Sequence, residues 1–100
     1  MGWADRAIEA LRRGEEARVR PRGHSMRGKV DDGALVTLAP CEPGRLQPGD
    51  VVLVRVRGTV YLHLVKAVNQ GRLLIGNNRG GINGWVGPSA IYGIATRIER

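Results

Sequence analysis

Residues 51–68 read Val-Val-Leu-Val-Arg-Val-Arg-Gly-Thr-Val-Tyr-Leu-His-Leu-Val-Lys-Ala-Val, two β-branched runs parted by Gly58. The first run, residues 51–57, reads as a strand. The second run alternates, with Val60, Leu62 and Leu64 on one side and Tyr61, His63 and Val65 on the other. That alternation predicts a strand whose aliphatic side faces a core. Outward from this pair, further strands are expected at residues 34–38, 72–75 and 91–98. Asp31-Asp32-Gly33, Pro43-Gly44, Pro48-Gly49-Asp50, Asn69-Gln70-Gly71 and the polar stretch 76–84 separate them. No second long helix intervenes, so parallel βαβ units are excluded. The expectation is a mainly β, single small domain of twisted antiparallel sheets with a short N-terminal helix.

That helix is read over residues 3–13. Trp3, Ala4, Ala7, Ile8 and Leu11 recur at helical spacing, and Gly14 follows as a stop. Eleven residues do not hold a helix in isolation. It must pack on the sheet or on a second copy, giving a homodimer, with a membrane surface as the lesser option.

One hundred residues suffice for one domain and no second core. Hydrophobic residues at 42% and charged residues at 25% exclude a disordered chain. Phe is absent, so Val, Leu and Ile must build the interior. The lone Cys41 excludes a disulfide framework or a cysteine metal cluster and fits a reducing compartment. No run reaches the length of a transmembrane segment and no secretory signal precedes the domain, so a cytoplasmic protein is expected. The net charge is +7, and Arg supplies 14 of the 16 basic residues. Arg12, Arg13, Arg18, Arg20, Arg22, Arg27 and Lys29 crowd residues 12–29. They could meet phosphates or an acidic substrate. Charge runs are usually solvated faces, and no aromatics interleave to stack bases. Nucleic acid is therefore the lesser reading beside a peptide or protein substrate.

Chemistry concentrates around Gly23-His24-Ser25-Met26. By itself this reads as a loop serine before a buried methionine. It is followed by Asp32-Gly33, Pro48-Gly49-Asp50-Val51-Val52, the strand bearing His63, Gly76-Asn77-Asn78 and Tyr92-Gly93-Ile94. In that order these pieces resemble the serine peptidase superfamily of signal peptidases and LexA-like repressors, over roughly residues 22–98. The resemblance divides the chain into a helix and basic linker (1–20) and a peptidase domain (21–100). It implies Ser25 as nucleophile, Gly23 and Met26 as shapers of its turn, and backbone amides as the oxyanion hole. A serine hydroxyl needs a neighbouring base. Many members use a lysine, and the branch of the endoplasmic reticulum and archaea uses histidine. Here His63 falls on that place, with Lys66 as the alternative base.

Histidine suits the task without help, because its ordinary pKa of about 6.5 lies near neutrality. On a regular strand His63 and Lys66 would point to opposite faces, so only one could meet Ser25. In the histidine branch an aspartate after Gly orients the ring. This chain has Asn77 there, whose amide oxygen could serve instead. Gly28 stands where signal peptidases usually have proline, and Asp50 reads as a turn residue. These departures leave a catalytically idle binding or regulatory module as the alternative. His24 reads as an exposed loop residue, and no base pairs with Cys41. No metal or organic cofactor is implied. The chain lacks an Ala-Gly bond, so LexA-type self-cleavage is not expected.

Overall fold

The computed structural model describes residues 2–100. Helix α1 (Asp5–Arg12) precedes seven strands: β1 (Ala17–Val19), β2 (Leu35–Ala39), β3 (Val51–Val56), β4 (Thr59–Asn69), β5 (Arg72–Gly76), β6 (Ile82–Val86) and β7 (Ile91–Glu99). Short 3-10 turns occupy Pro43–Arg45 and Pro88–Ala90. All strands join one open antiparallel sheet in the order β1-β2-β7-β3-β4-β5-β6. The last strand thus returns to lie between β2 and β3. The mainly β domain expected from the sequence is the one found.

Strand β3 lies near the middle and is covered on both sides. Val51 and Leu53 join a cluster beneath the helix with Ile8, Leu11, Leu38 and Leu62. Val52, Val54 and Val56 enter a second cluster with Leu73, Ile75 and Val86. The helix packs on the sheet, burying Ala4, Ala7, Ile8 and Leu11. Asp5 in its first turn and Arg12 in its last oppose the helix dipole favourably. Gly14, at φ +81°, ends it in the left-handed conformation.

Three expectations are corrected. Residues 17–19 are not linker but an edge strand, with Val19 in the helix-side core. The polar stretch 76–84 is not wholly a break, because its second half begins β6. Asn83 and Gly84 hide a strand there by their low intrinsic preference for one. Strand β4 is also irregular. Val65 pairs with Ile75 and Ala67 with Leu74, leaving Lys66 as the extra residue of a bulge. Simple alternation therefore does not decide which way Lys66 points.

Where the helix crosses the sheet, Gly93 of β7 permits close approach. A Cβ there would meet the Ala39 carbonyl oxygen at 2.7 Å and a Leu11 methyl at 2.9 Å. Gly93→Ala is expected to lift the helix and cost about 1–3 kcal/mol by overpacking. Thermal unfolding reads this as a Tm fall of roughly 4–8 °C per kcal/mol in a domain of this size. An unchanged Tm would mean that Leu11 does not bear on that position.

Candidate active site

The turn after β1 is built to present a side chain. Pro21 biases Arg20 towards extended backbone. Gly23 then adopts φ +110°, which other residues rarely tolerate, and its N–H donates to Asp32 Oδ1 at 2.8 Å. Met26 is buried beneath, and its carbonyl accepts from Lys29 and Val30. Gly28 takes φ +96° and donates its N–H to Asp31 Oδ1. Proline could adopt neither that φ nor that bond, so this turn requires the glycine it carries. Ser25 stands on the crest of the turn.

The loop between β5 and β6 secures that crest. The Asn78 N–H donates to the Ser25 carbonyl at 2.9 Å, and its side-chain amide donates to the Arg27 carbonyl at 2.8 Å. Sequence reasoning did not assign Asn78 a part.

Strand β4 supplies the partner. Pairing of Val52 with His63 fixes the histidine in register, and its side chain is almost fully buried, with 6% of its surface exposed. His63 Nε2 lies 3.1 Å from Ser25 Oγ. On the other side of the ring, Nδ1 lies 2.7 Å from Asn83 Oδ1. The amide oxygen accepts the Nδ1 proton, leaving the Nε2 lone pair to accept the serine hydroxyl. Tyr61 stacks on the imidazole with centroids 4.7 Å apart. Burial lowers the His63 pKa below its ordinary value, and the Asn83 bond opposes this more weakly.

Ser25 and His63 are thus brought together as expected, and two other assignments change. Asn77 does not hold the ring. Its Oδ1 accepts the N–H groups of Arg79 and Gly81 and shapes the loop. The residue that orients the imidazole is Asn83, six positions on and inside the unrecognised β6. Lys66 does not address the serine, because its ammonium donates to the Asn77 carbonyl at 2.9 Å. Asp50 accepts the Gln47 N–H and serves its turn. His24 is exposed. Burial and, second, the Asp50 carboxylate push the Cys41 thiol up, so it is not a poised thiolate.

A cleft of about 380 Å³ opens over the pair. One side is β4 at residues 60–63, which pair with β3 and lie beyond the β5 ladder that begins at Leu64. Among the described residues that stretch of edge has no strand partner. The buried Met26 and Val30 give the cleft apolar lining, and residues 20–23 and Trp3 also line it. No group of residues able to hold a metal ion occurs among the described residues. No described helix is long and apolar enough to cross a membrane. Comparison with protein-family models, curated proteins and solved structures finds no match to this chain.

The ring gives a direct test. In the unfolded chain His63 takes a proton near pH 6.5, and in the folded chain only at lower pH. Between those values the unfolded state binds more protons, so this group makes stability rise with pH and contributes no slope above. By NMR the His63 imidazole should titrate below 6.5. Asn83→Asp places a carboxylate against Nδ1 and should raise the midpoint. A midpoint unmoved by that change would show that residue 83 does not face the ring in solution.

Proposed function

We propose that this chain is a serine endopeptidase related to signal peptidases and LexA-like proteins, with Ser25 as nucleophile and His63 as general base. The observation that carries the reading is the aligned relay from Ser25 Oγ through both ring nitrogens to Asn83 Oδ1. A nucleophile, a base and a group orienting that base are the parts acyl transfer needs. The ordered motifs from Gly23 to Ile94 support it independently.

The steps follow from the geometry. His63 Nε2 takes the hydroxyl proton as Ser25 Oγ attacks the scissile carbonyl, giving a tetrahedral oxyanion. The Ser25 N–H donates to no acceptor among the described residues, so it is available to that oxyanion. Collapse expels the amine, which takes the proton from His63, and leaves an acyl-serine. Water, deprotonated by the same imidazole, releases the acid. Asn83 holds the productive tautomer throughout and does not exchange protons. The substrate fits as an extended peptide laid along the free edge at residues 60–63.

A serine-directed acylating fluorophosphonate should label the protein, and Ser25→Ala should abolish labelling without lowering Tm. Equal labelling of both would sink the enzyme reading. Labelling of neither, with the fold intact, would favour an idle binding module.

The base is tested separately by the pH dependence of labelling. Because His63 must be neutral to act, the rate should rise with pH through a midpoint below 6.5 and then level off. His63→Ala should cut the rate about 10²- to 10⁴-fold, the range a positioned general base supplies. Lys66→Ala should keep the midpoint. A midpoint that disappears only in Lys66→Ala would reverse the assignment.

A further inference from the structure

The cleft has a chemical asymmetry that catalysis does not require. Strand β4 lines it with Val60, Tyr61, Leu62 and His63, none of them charged at neutral pH, while the segment after β1 contributes Arg20 and Arg22. The two arginines are two residues apart, flanking Pro21, and both line the same cleft. Successive alternate positions of an extended segment face one side, so both cations serve one volume.

Their charge is not consumed locally. Arg22 makes no ion pair among the described residues. Arg20 spends one guanidinium N–H on the Gly33 carbonyl at 3.0 Å and keeps its other donors. The one acid in the cleft lining, Asp31, is paired with Arg100 at 3.2 Å and also accepts the Gly28 N–H. The Asp32 carboxylate is turned to the Gly23 N–H. Trp3 also lines the cleft, and both guanidinium-bearing residues are exposed and so open to an incoming ligand.

We propose that the cleft selects peptides bearing an acidic side chain, whose carboxylate is gripped by Arg20 and Arg22 while the peptide backbone lies along residues 60–63. This rests on the peptide-binding reading of the cleft above and names its substrate class. Guanidinium forks match a carboxylate with paired, parallel N–H bonds, and charge-assisted bonds of this kind are the stronger class. The apolar depth at Met26 and Val30 accommodates an uncharged neighbouring side chain, which a bare phosphate chain does not offer. A peptide, rather than a nucleic acid, therefore fits both halves of the cleft.

The test separates selectivity from catalysis. Fluorescent heptapeptides of Ala and Ser, each carrying one Asp scanned through every position, are titrated by anisotropy against the full chain with Ser25→Ala to prevent turnover. Gln-scanned and Lys-scanned peptides are the comparison. One Asp register is expected to bind at least about tenfold tighter than its Gln counterpart, equivalent to about 1.4 kcal/mol. Arg20→Gln with Arg22→Gln should abolish that margin while Tm and the affinity of the Gln peptides hold. Equal affinity for Asp and Gln peptides at every register overturns the proposal, as does a margin that survives the double variant. A single-stranded oligonucleotide that binds tighter than every Asp peptide, and loses its binding in the same variant, also overturns it in favour of a phosphate chain. Labelling of wild type without an Asp preference would leave the peptidase reading standing and remove this one. An Asp preference in a protein that never labels would do the reverse.

Discussion

The structure depends on burying β3 on both faces. A run of four aliphatics cannot leave either side to water, so the sheet needs a lid above and packing below. The helix supplies the first through Ile8 and Leu11. The far strands supply the second through Leu73, Ile75 and Val86. Burial of each such side chain contributes on the order of 1.5–3 kcal/mol, against which the ordering of a short helix must be offset. The same constraint fixes register. Once Val52 faces the second cluster, its partner His63 is buried except where the cleft reaches it, and a titratable ring becomes part of the cleft floor.

A buried imidazole is costly unless its nitrogens are answered. Here both are, one by a hydroxyl and one by an amide oxygen, with no charged group in the relay. The choice of amide over carboxylate has a physical consequence. A carboxylate would favour imidazolium and hold the ring charged to higher pH. The amide fixes the same tautomer and leaves burial free to keep the ring neutral.

Much of the fold could be read from residues alone, for particular reasons. Strands β3 and β4 announce themselves through β-branched density and alternation, and the helix through its apolar stripe. Ser25 and His63 were legible because ordered motifs surround them. Asn83 was not, since a polar Asn-Gly pair in a glycine-rich stretch signals a turn. It becomes a strand here only because Trp85 and Gly84 pair with Leu74 and Ile75 of β5. With β6 unseen, the amide nearest the expected motif position, Asn77, took its place. The direction of Lys66 is hidden for a related reason. A bulge is set by the partner strand, and no property of residues 65–67 by themselves reveals it.

The hairpin of β5 and β6 holds both members of the pair, Ser25 through Asn78 and His63 through Asn83, yet β6 is one of the two edge strands of the sheet. Edge strands are among the first elements to open in native-state fluctuations. Opening this one releases the crest of the serine turn and the tautomer of the histidine in a single event, while β2, β3 and β7 remain closed. Alignment of the pair is therefore governed by a local equilibrium smaller than the free energy of global unfolding. Amide protons of residues 82–86 should exchange faster than those of residues 51–56, and their rate marks how often the relay is broken in an otherwise folded molecule.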